Sequence, residues 1–145
     1  MTGTKHSEIE LAKTYRRTAV QGWVSLVVWI STGLLLESLM AFKSPAYLDD
    51  SIRRELFRLA HAHGTLLGVV LVIAAMWVQV NGVTLTRPAI AALRVGSMVM
   101  PVGFLLAGLV HPESDPGIAI WLVPIGALML IFGVVSIVLA SRIRA

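Results

Sequence analysis

The chain has no cysteine among its 145 residues. That absence excludes disulfides, thiolate-held zinc, cysteine-ligated iron–sulfur clusters and covalently attached haem. Any metal would have to rest on histidine, carboxylate, methionine or backbone oxygen. Charge is also scarce. Asp, Glu, Lys and Arg make up 14% of the residues, against about 25% in an ordinary soluble domain. Hydrophobic residues reach 57% and the mean hydropathy is +0.82, a balance suited to a lipid bilayer rather than to water. Acidic residues are fewer than basic ones, 8 against 12, for a net charge of +4. In a soluble protein that excess would suggest nucleic acid. Here the basic residues flank apolar runs, so they bear on membrane topology and no nucleic-acid partner is expected. The sequence shows no internal repeat, no phosphate-cradling glycine loop and no serine–histidine–acid arrangement.

Four apolar runs remain, each about long enough to cross a hydrocarbon layer of roughly 30 Å as a helix. They are placed near Val20–Phe42, Leu56–Val80, Pro88–Val110 and Pro116–Ala140. No alternating ten-residue pattern favours barrel strands, and lipid leaves free backbone groups unsatisfied, so helices are expected. The N-terminal stretch is a poor signal peptide: its polar head is long and carries Glu8 and Glu10, so the first run is kept as a span. The expected fold is all-α, a single domain over residues 1–145 forming an integral membrane four-helix bundle with up-down-up-down topology. Lys5, Lys13, Arg16, Arg17, Arg87, Arg94, Arg142 and Arg144 fall on one side, which predicts that both termini are cytoplasmic in a bacterial inner membrane. Asp115-Pro116 predicts an N-cap followed by the first turn of the last helix, and Pro101 and Pro124 predict kinks. Ser44–Glu55 is the longest polar connection, expected to run along the outer interface with Tyr47 and Leu48 as anchors.

Up-down topology would gather Glu37, His61, His63, His111, Glu113 and Asp115 at the outer ends of the spans, leaving His6 in the tail. His61 and His63 are two positions apart, about 200° around a helix, so they cannot readily hold one ion together. His61 continues into a small-residue stripe of Gly64, Thr65 and Gly68. His63 continues through Leu66, Leu67, Val70 and Trp77, towards lipid or bulky neighbours. His61 is therefore the expected inward residue. His111 lies above Gly108, Ala107, Phe104 and Gly103, a second small-residue stripe expected to face the first. Glu37 shares a face with Gly33, and a carboxylate within a membrane helix needs a partner such as Arg58, a histidine or an ion.

His63-Gly64-Thr65-Leu66-Leu67 resembles the second-helix motif of haem–copper oxidase catalytic subunits, in which the histidine ligates a low-spin haem. That resemblance, covering about a dozen residues, implies a haem helix. Arg58-Leu59-Ala60-His61 is similar to part of a second-helix motif in the membrane-associated eicosanoid and glutathione metabolism family. Glycine and leucine stand where that family has asparagine and glutamate, which argues against glutathione chemistry. The whole chain resembles small bacterial four-helix membrane proteins with an "AHAHGTLL" helix and a "DPGIAIWLVPIGALML" final helix, a resemblance that implies the fold and no particular activity.

Three functions are compatible with these residues. The first is a membrane haem b protein with iron between His61 or His63 and His111, serving electron transfer or a larger respiratory-type complex. The second is a zinc or copper site built from Glu37, His61, His63 and His111, as in metal-dependent hydrolytic centres. The third is a cofactor-free accessory or oligomeric scaffold whose small-residue stripes serve helix contacts alone.

Overall fold

The computed structural model describes residues 2–112 and 115–142, with side chains from residue 10 onward. Glu113, Arg144 and the side chains of Lys5, His6 and Glu8 lie outside what is described. Every described element is helical: α1 (Thr2–Ala41), α2 (Pro45–Leu48), α3 (Ser51–Val80), α4 (Arg87–Leu109), a 3₁₀ turn (Ile118–Trp121) and α5 (Leu122–Arg142). Four segments are long and apolar enough to cross a membrane: Glu10–Ala41, Ser51–Val80, Arg87–Leu109 and Ile118–Arg142.

α1 begins well before the apolar run at Val20, because no proline interrupts the polar stretch and Lys13 Nζ reaches Glu10 at 2.8 Å one turn away. It ends where Lys43 takes a left-handed φ of 50°. There the Lys43 N–H donates to the Met40 carbonyl at 3.1 Å and the Ser44 N–H to the Leu39 carbonyl at 3.0 Å. These two bonds make a Schellman ending with lysine at the position that glycine usually holds. The same ending closes α3, where Gly82 has φ 59° and the Val83 N–H donates to the Val78 carbonyl at 2.9 Å. α3 starts earlier than the hydropathy pattern suggests because Asp50 caps it, accepting from the Arg53 N–H at 2.9 Å.

Three expectations about the connections are corrected. Most of Ser44–Glu55 is helical, and Tyr47 is only 2% exposed, packed inward instead of anchoring the surface. Asp115 does not cap a helix: a 3₁₀ turn starts after Gly117, and the Gly117 N–H donates to the Ala107 carbonyl at 3.1 Å. An added Cβ at Gly117 would collide with the Val110 carbonyl oxygen, so only glycine lets the chain approach α4 this closely. Pro124 is the third residue of α5, close to its start, while Pro101 is the proline inside a helix.

Sequence neighbours pack on one another: α1 on α3, α3 on α4 and α4 on α5. Gly22 of α1 meets Gly68 and Val72 of α3, whereas Gly33 further along α1 meets His61 earlier in α3. The α3 stripe therefore faces α1. Gly96 and Gly103 of α4 meet Gly126 and Leu122 in the α5 region, and Gly108 meets Phe57. The two small-residue stripes thus do not face each other as expected: that of α3 admits α1, whereas that of α4 admits α5 at Gly103 and meets Phe57, off the α3 stripe, at Gly108. One core gathers Tyr15, Leu71, Val78, Leu85, Ile90 and Leu93, and the other gathers Trp29, Leu56, Ala60, Phe104 and Ala107. At the first, the Tyr15 hydroxyl donates to the Val83 carbonyl at 3.3 Å and accepts from the Leu85 N–H at 3.1 Å. Arg94 Nε donates to Gln21 Oε1 at 2.7 Å, tying α4 to α1.

Candidate functional site

Near the second core, α1, α2 and α3 enclose a groove of ≈ 570 Å³ lined by Ile30, Gly33, Leu34, Leu36, Glu37, Met40, Tyr47, Glu55, Arg58, Leu59, His61 and Ala62. Its walls are mostly apolar, and its polar groups belong to few residues. Glu37 and Gly33 are four apart on α1, so they share one face of that helix. Arg58 and His61 are three apart on α3 and present another short polar row.

His61 is held by α1. Its Nδ1 lies 2.6 Å from the Trp29 carbonyl oxygen. A carbonyl can only accept, so Nδ1 carries the proton of this bond and Nε2 is the ring nitrogen left to other partners. Gly33 makes this possible: a Cβ there would fall on the imidazole. The bare backbone turn lets the ring lie flat on α1 and reach Trp29. Trp29 is itself 6% exposed and packed over Gly64, so it is a core residue and not part of an interfacial belt.

Glu37 lies at the exposed side of the groove and makes no hydrogen bond or ion pair with any described residue. Arg58, expected as its partner, instead lies 3.8 Å from Glu55 one turn back on its own helix. Both of those side chains are 63% exposed, so the pair holds little stability of its own.

The other two histidines sit elsewhere. His63 donates from Nδ1 to the Leu59 carbonyl of its own helix at 2.9 Å, and its ring centroid is 5.0 Å from that of Phe104 on α4. His111 follows the end of α4, with Nε2 2.9 Å from Asp50 Oδ2 and Nδ1 2.7 Å from the Pro112 carbonyl. The Nε2 contact meets the distance for an ion pair but not the alignment of a hydrogen bond. The His111 side chain is 5% exposed, and both nitrogens face oxygen atoms. The backbone N–H of Arg53 and the nearby His111 hold the Asp50 carboxyl below the usual aspartate range, against a partial opposing effect of burial. Arg53 completes this corner, donating from Nε to the Gly108 carbonyl at 3.2 Å and from Nη1 to the Ala46 carbonyl at 3.1 Å. The last carbonyls of α4 have no helical partner, and the guanidinium supplies one.

The structure therefore brings together Glu37 and His61 along one groove, and separates His111 from both histidines of α3. Asp50, which holds His111, precedes His61 by eleven residues and His63 by thirteen, or roughly 15–20 Å at about 1.5 Å per residue. Among the described residues no three His, Asp or Glu side chains converge as a metal-binding group. Glu55 joins the groove without having stood out in the sequence, as does Asp50 at the His111 corner, and Tyr47, expected as an interfacial anchor, lines the groove instead. Only Asp50 carries a legible signal, the N-cap pattern of Asp-Ser-Ile-Arg.

The chain matches no protein-family model, and the curated proteins and solved structures likewise give no match.

Proposed function

We propose that this multi-pass membrane protein binds an amphiphilic small molecule in the groove between α1 and α3. One observation carries this reading: an apolar-walled groove of ≈ 570 Å³ holds, beside His61, a carboxylate at Glu37 with no partner among the described residues. A concave apolar site with a few convergent polar groups is the usual form of a small-molecule site. The apolar wall of Ile30, Leu34, Leu36 and Met40 suits a hydrocarbon portion, and the polar row suits a head group. The four spans run up-down-up-down in a bacterial inner membrane with both termini cytoplasmic, supported by the opposed sense of the helix contacts and by the arginines of the tail and of the α3–α4 connection. The groove then opens near the outer face, within reach of membrane-dissolved molecules.

A saturable, stoichiometric uptake of a long-chain alcohol by the purified protein tests the proposal. Leu34→Trp, which adds bulk at the groove wall, is expected to abolish uptake while leaving helix content unchanged. Uptake unaffected by Leu34→Trp would place the binding elsewhere.

A second reading, a haem b or metal site, is favoured by the contact between His61 Nδ1 and the Trp29 carbonyl. Such a contact is the outer-sphere bond that orients a ligating imidazole and leaves Nε2 as donor. His61 is then the first ligand, and a role in electron transfer or in a larger complex follows from the cofactor. The pairing of His61 or His63 with His111 across one iron has no geometric support. The second reading predicts a reducible Soret band, or stoichiometric zinc or copper, lost in His61→Ala and retained in His111→Ala.

A further inference from the structure

The polar groups that line the α1–α3 groove are mostly acceptors. Glu37 offers a carboxylate with no described partner, and His61 donates through Nδ1 to Trp29, so its remaining nitrogen can accept. Among the described lining residues Arg58 is the one Lys or Arg, and Glu55 lies 3.8 Å from it. The described lining thus sets two carboxylates, Glu37 and Glu55, against one guanidinium, Arg58, an excess of one acidic group. A carboxylate inside a membrane helix is costly without a counter-charge, more so towards mid-bilayer than near the interface.

Resting on the small-molecule reading, we propose that the ligand is a hydrophobic cation: a long-chain amine whose ammonium pairs with Glu37 and whose hydrocarbon chain lies along Leu34, Leu36 and Met40. The ammonium supplies up to three N–H donors and no acceptor. It complements both Glu37 and the open nitrogen of His61. A neutral head group of similar size would fill the groove but leave the carboxylate without a counter-charge. An anionic head group would meet two carboxylates, Glu37 and Glu55, against the single guanidinium of Arg58. Nothing covalent is involved, and the selectivity comes from charge at a site where lipid surroundings weaken screening.

The test compares hexadecylamine, hexadecanol and hexadecanoate on the full-length protein in neutral-detergent micelles, at neutral pH, with native mass spectrometry counting bound molecules. Wild type is expected to prefer the amine to the alcohol by about tenfold, equivalent to about 1.4 kcal/mol, and to bind the carboxylate least. Glu37→Gln is expected to bring the amine to within about twofold of the alcohol without weakening alcohol binding. Leu34→Trp is expected to remove both. Equal binding of amine and alcohol by wild type, or an amine preference that survives Glu37→Gln, overturns the cation assignment and leaves the groove in place. Preference for hexadecanoate overturns it also. Failure of all three molecules to bind, or binding indifferent to Leu34→Trp, overturns the groove reading and this assignment with it.

Discussion

His61 owes its position to Gly33, a residue with no side chain. Because the imidazole lies on the glycine backbone, Gly33→Ala is expected to push the ring away from Trp29 without touching any ligand directly. Alanine is the better helix former by about 1 kcal/mol, so α1 persists while ligand uptake falls as far as in His61→Ala. Uptake measured on both variants checks this, and normal uptake in Gly33→Ala would show that the ring is free to sit elsewhere. Asp50 gives a pH prediction. Its pKa is lowered in the folded chain, so the stability it contributes is present above the ordinary aspartate value, near 4, and is lost as pH falls through the lowered folded value. The difference in unfolding midpoint between wild type and Asp50→Asn is therefore expected to be largest above about pH 4 and to shrink at lower pH. A difference that grows on acidification would reverse the assigned sign. At this scale the sequence was partly legible. The helical phase separates His61 from His63 and correctly turns His61 towards small residues. The partner of His111 was hidden because Asp50 reaches it across the α3–α4 contact, which no periodicity along one helix encodes.

The helices themselves are the most legible feature, since their length and apolarity are imposed by lipid. Their partners are less so, because a glycine stripe announces a close approach and does not name the neighbour. Gly64 and Gly68 meet Trp29, Leu26 and Gly22 of α1, where the stripe of α4 had been expected. Gly68→Val is expected to force α1 and α3 apart and to cost about 1–3 kcal/mol, read as a lower unfolding midpoint in detergent, whereas Val69→Leu on the exposed face should cost little. Similar losses from both changes would contradict the described packing. The end of α1 offers the opposite case. Lys43 holds a left-handed φ of 50° that costs an L-residue with a side chain about 1 kcal/mol or more. Lys43→Gly is expected to raise stability by up to about 1 kcal/mol, with glycine's greater freedom in the unfolded chain offsetting part of the gain. Neither that strain nor the 3₁₀ turn at Ile118–Trp121 has a signature in hydropathy, and the Asp-Pro pair misleads because the Gly117 N–H finds the Ala107 carbonyl instead.

Across the whole molecule, the lack of cysteine makes topology directly measurable. Single cysteines at Ser51, Thr84 and Ser141 are expected to divide: Ser51→Cys reacts with an impermeant thiol reagent from outside intact cells, and the other two react only after the inner face is exposed. The groove between α1 and α3 competes with a second large hollow, ≈ 530 Å³ between α3 and α5, lined almost wholly by apolar groups such as Val70, Ile73, Val134 and Val138. Its described lining holds neither a carboxylate nor a histidine, so lipid chains can cover it without selectivity. The contrast supplies the most direct test of the central claim. A long-chain amine bearing a photoactivatable diazirine, crosslinked to the protein in membranes and mapped by peptide mass spectrometry, is expected to mark α1 around Ile30–Met40 and α3 around Glu55–Ala62, with labelling suppressed by unlabelled hexadecylamine. Adducts spread evenly over the lipid-exposed helices, or concentrated between α3 and α5 and indifferent to the competitor, would contradict it.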